Sequence, residues 1–197
     1  MHSQKSFSQA CENNKAPILA HLKKHLVGKC KVLEIGSGTG QHVSFFAQHF
    51  VDIVWQPTDV IENHPSIKAW VADANCHNVL PPACFFIGQD EWHFNNVDAV
   101  YSANTAHIMQ PEEAQLLMQT VAKNLPQGGV FCQYGPFKIN GEFTSDSNYE
   151  FDLSLRQRGY GGIRSLEELT TWAQGLTLSH NYFMPANNQL LIWHKGE

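Results

Sequence analysis

One stretch of the chain constrains the fold more than any other, an apolar run ending in three alternate glycines, V-L-E-I-G-S-G-T-G over Val32–Gly40. An apolar run, a glycine turn and a helical pattern in succession predict a strand, a tight turn and a helix start. Glycine lets the turn adopt positive φ and lets a ligand approach the backbone closely. The next helix would direct its free N–H groups and positive dipole end at the same place. The stretch therefore predicts a ligand-binding turn.

The composition of this turn favours one kind of ligand. A dinucleotide fingerprint would need a third glycine at position 41, where this chain has Gln41. Glu34 places a carboxylate at the strand end, which would repel a pyrophosphate and suit a cationic or hydroxyl-rich ligand. S-adenosylmethionine (SAM) has a sulfonium, an ammonium and a ribose diol. We predict a SAM-type site, with another nucleotide or a turn without ligand as the alternatives. The predicted cofactor residues here are Glu34, Gly36, Ser37, Gly38, Thr39 and Gly40.

Composition narrows the class of protein. A chain of 197 residues predicts a single domain over 1–197. The net charge of −5 argues against DNA as a partner and, less strongly, against RNA. There is no apolar run long enough to cross a membrane and no apolar signal segment near the N-terminus. Five widely spaced cysteines without a C-x-x-C pair favour neither disulfides nor zinc. We expect a cytoplasmic protein with a small-molecule substrate.

Strand and helix patterns alternate along the chain. Helices are predicted over 17–27, 39–50, 65–74, 110–125 and 165–173, and strands over 30–35, 53–56, 84–87, 97–103, 130–134, 176–184 and 189–194. Pro17 is expected in the first turn of its helix, and Pro57 is expected to end the second strand. Residues 149–155 fit a strand and a short helix equally well. The alternation predicts an α/β fold with a doubly wound, seven-stranded, mostly parallel sheet and an antiparallel C-terminal hairpin.

Carboxylates after two of the strands are candidates for cofactor contacts, since ligands bind at the carboxyl edge of such sheets. Asp59 lies 19 residues past Gly40, near the spacing of about 20 at which an acid meets a ribose hydroxyl. The alternative is a turn aspartate. Asp90 follows the predicted strand over 84–87 and would reach an adenine amine, or it is a solvated loop residue.

The loop after the fourth strand, Ser102–His107, should lie beside the glycine turn. It supplies Ala103 and Asn104 as further cofactor candidates. His107 is the best general-base candidate because an imidazole has a pKa near 6.5, although a structural hydrogen bond is the slightly favoured role. Tyr134, at the end of the fifth strand, is the second catalytic candidate. His21 and His25 lie four apart on one predicted helix face, and solvated histidines explain them better than a metal site.

Several motifs together resemble one family, a class I SAM-dependent methyltransferase-like family catalogued as a domain of unknown function. They are E-N-N-K-A-P-I-L at 12–19, V-L-E-I-G-S-G-T-G-Q-H at 32–42, W-Q-P-T-D at 55–59, S-I-x-A-W at 66–70, S-A-N-T-A-H-I at 102–108, Y-G-P-F at 134–137, S-N-x-x-F-D at 147–152 and M-P-A-N-N at 184–188. The glycine motif is shared by most class I methyltransferases, whereas W-Q-P-T-D and M-P-A-N-N are more specific.

The resemblance implies a Rossmann-like class I methyltransferase fold, a SAM loop at Glu34 and Gly36–Gly40, a ribose contact at Asp59, and a helix over 149–157. One position departs from the family pattern, which usually reads E-R-N-R or E-R-N-K. Asn13 replaces the first arginine here, so a substrate contact made by that arginine would be altered.

The expected function is a SAM-dependent methyltransferase acting on a small polar molecule. A methyltransferase acting on protein or RNA and a SAM-binding protein without catalysis are the alternatives. No N-P-P-Y-type loop and no acidic cluster of the metal-dependent catechol kind is present, so amide nitrogens and catechols are not specifically indicated. No metal is expected.

Overall fold

The computed structural model describes residues 5–196, which fold into alternating helices and strands. The helices are α1 (Gln9–His25), α2 (Gln41–His49), α3 (His64–Asp73), α4 (Pro111–Asn124), α5 (Asp146–Gln157) and α6 (Leu166–Trp172). The strands are β1 (Lys31–Ile35), β2 (Val54–Thr58), β3 (Ala99–Ala103), β4 (Val130–Gly135), β5 (Leu176–Met184) and β6 (Asn188–Lys195). No helix within 5–196 is long and apolar enough to span a membrane.

The sheet is mixed, with the order β2-β1-β3-β4-β6-β5. β1 pairs in parallel with β2 and β3, whereas β6 pairs antiparallel with β4 and β5. The hairpin predicted at the C-terminus is confirmed. The expected count of seven strands is not, because the described residues form six.

The strand predicted over 84–87 is wrong. Cys84 and Phe86 are exposed, and the chain instead runs beside β2 earlier, through isolated parallel bridges of Val79 with Trp55 and Ala83 with Thr58. Two consecutive prolines, at 81 and 82, have no N–H to donate. The segment therefore follows β2 without forming a continuous ladder.

Two prolines lie deeper in their elements than expected. α1 begins at Gln9, where the Ser8 side chain accepts from Cys11 N, so Pro17 lies inside the helix rather than in its first turn. Pro57 lies within β2 rather than after it. β2 is the outermost strand of the sheet, and an outer strand tolerates a missing N–H.

The chain divides into two compact units. Among the described residues, the first comprises 5–86 and 93–102 and contains α1, β1, α2, β2, α3 and most of β3. The second comprises 87–92 and 103–196 and contains α4, β4, α5, α6, β5 and β6. The segment over 149–157, which sequence pattern left open, is helical as part of α5.

Candidate functional site

The glycine turn of the first unit is held at the end of β2. Gly36 N and Ser37 N both donate to Thr58 O at 3.0 Å, and the Thr58 hydroxyl donates to Glu34 O at 2.7 Å. Because one residue of β2 binds both sides of the turn, the carboxyl ends of β1 and β2 are fixed together. The strand, turn and helix predicted from Val32–Gly40 are confirmed.

Asp59 lies directly against this turn. Its Oδ2 accepts from Gly38 N at 2.6 Å, and its Oδ1 accepts from Val60 N at 2.7 Å and Asn63 Nδ2 at 2.8 Å. The carboxylate is thus fixed beside the central glycine. Its contact with a ribose stays a prediction, and the structure adds a second role, because Asp59 also organises the turn.

The glycines of the turn serve different purposes. A Cβ on Gly38, where φ is +55°, would meet no atom within 4 Å. A Cβ on Gly40, where φ is +92°, would lie 2.6 Å from Ile67 Cα on α3. Gly38 therefore leaves its surface open to a ligand, whereas Gly40 lets α2 begin in close contact with α3.

Glu34 is buried at the end of β1, with a relative exposure of 1%. Burial raises its pKa to about 7; the charge of Asp59 acts in the same direction and the Ser37 hydroxyl acts against it. Its Oε2 has no hydrogen-bond partner among the described residues. A buried polar atom without a partner costs about 1–3 kcal/mol, so Glu34 is suited to a ligand that supplies a donor or a positive charge.

Gln41, the residue that takes the place of a third glycine, connects the turn to the N-terminal segment. Its Oε1 accepts from Ser8 N at 2.6 Å and from the Thr39 hydroxyl at 3.1 Å, and its Nε2 lies 3.4 Å from Glu12 Oε2. From the sequence alone, Gln41 indicates only that a dinucleotide fingerprint is absent. The sequence signal for this contact was an amide side chain at the position where the fingerprint needs glycine.

Residues 5–8 extend the same contact onto α3. Ser6 N donates to the Ser66 hydroxyl at 2.9 Å, and Trp70 Nε1 donates to Ser6 O at 2.7 Å. The Ser66 hydroxyl in turn donates to Thr39 O at 2.7 Å. The first residues of the described chain are therefore bound to the glycine turn, directly and through α3.

A buried histidine network fixes α1 against the helix that follows the turn. His42 Nε2 lies 2.6 Å from Asn14 Oδ1, and its Nδ1 lies 3.1 Å from the Tyr101 hydroxyl. Asn14 Oδ1 can only accept, so Nε2 carries the proton. Burial lowers the pKa of His42 to about 4. The neighbouring Asn13 is exposed and bonds to Gln9, away from this network.

The second unit brings two of the predicted polar residues together. Asn104 Oδ1 and His107 Nδ1 each lie 3.9 Å from the point that a Cβ on Gly135 would occupy, and Asn104 N donates to Tyr134 O at 2.8 Å. Asn104 has φ of +59°, a conformation that is uncommon outside glycine and often found at functional sites. The end of β4 and the loop after β3 thus form one polar cluster.

His107 is neutral at physiological pH. Burial lowers its pKa to about 4, and the charge of Arg158 acts in the same direction. Its ring lies against Phe151 of α5, with centroids 5.3 Å apart in an edge arrangement. A neutral imidazole has a nitrogen lone pair available, but its low pKa limits it to nucleophiles that release their proton readily.

The other predicted residues of the second unit lie in different elements and differ in exposure. Ala103 ends β3, Tyr134 is buried in β4, and Asp90 is exposed in the turn before Trp92. Asn187 binds the start of α5, since its O accepts from Asn148 Nδ2 at 2.9 Å and its Nδ2 donates to Ser147 Oγ at 3.0 Å.

Comparison with known proteins assigns the chain to a family. Residues 5–195 match the family model described as "Protein of unknown function (DUF938)". The chain belongs to this family. The match covers nearly the whole sequence, and it confirms the resemblance drawn from the motifs at the glycine turn, β2 and the β5–β6 turn.

Solved structures similar to this DUF938 chain are methyltransferases. An O-methyltransferase family protein from Burkholderia thailandensis superposes with a TM-score of 0.80 at 13% identity, covering 95% of this chain and 58% of that one. The mitomycin 7-O-methyltransferase MmcR gives 0.81 at 12% identity, covering 95% and 54%. Human N-acetylserotonin methyltransferase in complex with SAM gives 0.75 at 13% identity, covering 96% and 53%.

These similarities establish the fold of the DUF938 chain as the Rossmann-like α/β methyltransferase fold. At such identities they carry no information on its substrate. The chain spans little more than half the length of these structures, so the activities named in their titles belong to longer proteins.

Proposed function

We propose that this protein is a SAM-dependent methyltransferase that acts on a small polar molecule. The observation that carries the proposal is the buried Glu34 carboxylate, whose Oε2 has no partner among the described residues, beside a glycine turn with an open face at Gly38. A cationic ligand with hydroxyl groups suits these residues, and the family and fold agree with that chemistry.

The residues of the first unit fit the parts of SAM in turn. Glu34 would take a positively charged group, Gly38 permits close approach of the ligand to the backbone, and Asp59 would exchange a hydrogen bond with a ribose hydroxyl. Gly36, Ser37 and Thr39 complete the turn. The cofactor contacts expected from sequence for Ala103, Asn104 and Asp90 stay predictions. SAM would supply a methyl carbon already activated by its sulfonium, leaving the protein to bind and orient the acceptor.

The second unit would provide the acceptor's surroundings. Asn104 would orient a polar group, and Tyr134 completes the cluster through its carbonyl contact with Asn104. His107 would accept the proton that the nucleophile loses, provided that the nucleophile is acidic enough for an imidazole with a pKa of about 4. The proposal involves no metal and no nucleic acid as substrate, and the single domain over 1–197 stays a prediction. Cytoplasmic location stays a prediction.

Calorimetric titration of the pure protein with SAM and with S-adenosylhomocysteine tests cofactor binding. We expect micromolar dissociation constants, equivalent to about −7 to −8 kcal/mol, and far weaker binding of NAD. No heat from either sulfur ligand at millimolar concentration would reject the proposal.

Turnover is tested separately with methyl-labelled SAM and a fractionated metabolite extract. Label should appear in a low-molecular-weight product, and His107→Gln should reduce its rate while leaving the affinity for SAM unchanged. Binding of SAM without label transfer to any small molecule, protein or RNA would favour the non-catalytic alternative.

A further inference from the structure

The arginines of this chain are concentrated in one place. All three lie within nine residues, R-Q-R-G-Y-G-G-I-R at 156–164, where α5 ends and the following loop begins. This loop packs against the segment that carries His107, because Gly162 N donates to His107 O at 3.1 Å and Gln110 Nε2 donates to Gly159 O at 2.8 Å. The chain's guanidinium groups are therefore placed near the proposed acceptor site of the second unit.

Two of these arginines already have protein partners. Arg156 Nε donates to Asp152 Oδ2 at 2.7 Å, and the same carboxylate accepts from Ile163 N at 2.6 Å. Arg164 is buried, donates to the carbonyls of the preceding loop and lies 3.8 Å from Glu168. Both arginines hold the loop in shape, and their charges are balanced by carboxylates.

Arg158 differs from the other two. It is exposed and has no ion pair among the described residues. Its Nε donates to Ser154 O at 3.1 Å, and its guanidinium carbon lies 5.3 Å from the centre of the Tyr160 ring. One carbonyl and one aromatic ring thus orient this guanidinium, and its terminal N–H groups have no acceptor within residues 5–196.

Exposed apolar side chains occur on the segments that carry Arg158 and His107. Phe151 lies in α5, seven residues or about two helical turns before the C-cap residue Arg158, and its ring contacts the His107 ring. Ile108 is 42% exposed, Phe151 37% and Tyr160 38%. α5 buries Leu155 together with Asn148 and Asp152, and it exposes Phe151, Tyr149 and Leu153. Apolar side chains exposed next to one another on a helix form a surface on which an apolar ligand can lie.

We propose that the methyl acceptor is a small molecule with a carboxylate bound by Arg158 and an apolar body lying on Phe151, Ile108 and Tyr160. The planar guanidinium presents paired N–H donors that match the two oxygens of a carboxylate. Phosphate offers the same oxyanion geometry. A single uncommitted arginine in a chain of net charge −5 suits a monoanion better than a dianion. This assignment of substrate class rests on the proposed methyltransferase function.

The test is binding of small apolar carboxylates to the protein saturated with S-adenosylhomocysteine, followed by NMR. The panel contains phenylacetate, cinnamate, 3-phenylpropanoate and hexanoate, the primary amide of each, and phenyl phosphate. We expect at least one carboxylate to bind about tenfold more tightly than its amide, because a charge-assisted hydrogen bond is lost in the amide. The shifted resonances should include Ile108 and Tyr160.

Variants locate the interaction. Arg158→Gln should weaken carboxylate binding by about tenfold, Arg158→Lys should weaken it less, and Lys123→Gln, which removes an exposed charge from the last turn of α4, should leave it unchanged. Equal affinity for carboxylate and amide, unchanged affinity in Arg158→Gln, or no binding by any carboxylate would overturn the proposal. Tighter binding of phenyl phosphate would assign the arginine to phosphate and also overturn it.

The result that would reject the methyltransferase function differs from the result that would reject the carboxylate substrate class. Absence of SAM and S-adenosylhomocysteine binding would reject the enzyme function, while carboxylate binding that depends on Arg158 would still be measured on the ligand-free protein. Conversely, a SAM-binding enzyme whose acceptor is not retained on an anion exchanger, and whose KM is unchanged in Arg158→Gln, would keep the function and reject this substrate class.

Discussion

At the scale of single residues, Glu34 combines stability and binding in one carboxyl group. Its pKa is raised to about 7, so the folded state holds a proton that the unfolded chain releases above pH 4.5. This proton favours folding between these two pH values, and the benefit is lost as pH rises through 7. Glu34 therefore weakens the ligand-free fold at neutral pH, where its charge is available for a cation.

Replacing Glu34 with Gln should separate these two effects. Between pH 7 and pH 5 the wild type gains roughly 2 kcal/mol of folding free energy from Glu34 protonation, which the variant cannot gain. The fall in stability on acidification should therefore be steeper in Glu34→Gln, as measured by urea unfolding at both pH values. SAM affinity should fall as well. Glu62→Gln, at an exposed glutamate, is the control, and parallel pH curves for all three proteins would contradict the prediction.

Replacing Asp59 with Ala should reduce both the affinity for SAM and the free energy of unfolding. Its carboxylate accepts from Gly38 N and Val60 N, so Asp59→Ala removes acceptors within the turn as well as the proposed ribose contact. We expect SAM binding to weaken by about 1.5–3 kcal/mol and the free energy of unfolding without ligand to drop by about 1 kcal/mol. Calorimetry measures the affinity for SAM and thermal unfolding measures the stability, with Asp52→Ala as the control. Unchanged SAM affinity would leave Asp59 as a turn residue only.

At the scale of elements, the two glycines of the turn offer a matched pair of substitutions. Gly40→Ala would force a Cβ to within 2.6 Å of Ile67 Cα at a φ of +92°, whereas Gly38→Ala would meet open space at +55°. We expect Gly40→Ala to cost about 2–4 kcal/mol of stability through separation of α2 and α3, and Gly38→Ala about 1 kcal/mol of backbone strain.

The affinity for SAM should be affected most by the substitution that costs less stability. Gly38→Ala should reduce SAM affinity more than its small loss of stability accounts for, because the added methyl lies on the open surface of the turn. Thermal unfolding and calorimetry on both variants provide the comparison. Equal losses of stability in Gly38→Ala and Gly40→Ala would show that the close approach to Ile67 does not make position 40 less tolerant of a side chain.

Elements with a strong periodic pattern could be predicted from sequence, and those decided by distant contacts could not. β1, α2, α4 and the β5–β6 hairpin follow from apolar spacing and turn residues alone. The start of α1 depends on Ser8, Gln41 and the turn 33 residues away, which no local pattern reveals. The strand predicted over 84–87 was wrong because an apolar run does not by itself show whether a neighbouring strand forms hydrogen bonds with it.

The candidate site divides in the same way. The glycine turn and Asp59 could be found because backbone conformation demands particular residues at particular spacings. Arg158 could not, since its proposed role rests on having no carboxylate partner in the part of the chain that the structure describes, and no sequence pattern shows which arginine is left unpaired. The same is true of His107, whose pKa depends on its burial and on a charge 51 positions later in the chain.

At the scale of the whole molecule, buried histidines should set the acid limit of stability. The pKa values of His42 and His107 are both lowered to about 4, so each stabilises the fold fully above pH 6.5 and loses that contribution as pH falls through 4. Each is worth roughly 2 kcal/mol between pH 7 and pH 5, and together they outweigh the opposing gain from Glu34.

We therefore expect the unfolding free energy of the ligand-free protein to be greatest near neutral pH and to decrease toward pH 5. Urea denaturation across this range measures it, and His42→Gln should flatten the decrease. A maximum below pH 5.5 would show that the histidines are not buried as neutral groups in solution.

The packing of residues 5–8 on α3 has an optical consequence. The indole of Trp70 donates to the Ser6 carbonyl, lies 6.4 Å from the Phe7 ring and has the Lys5 ammonium 3.8 Å from its centre. Of the other four tryptophans, Trp55 and Trp193 are fully buried and Trp92 and Trp172 are partly exposed, so the signal of Trp70 is the part of the emission that Trp70→Phe removes. A cation above an indole shifts its emission and alters its quenching by iodide or acrylamide. The chain thus carries its own fluorophore at the place where its N-terminal segment meets α3, and the time course of that contact can be followed in a stopped-flow instrument without any added label.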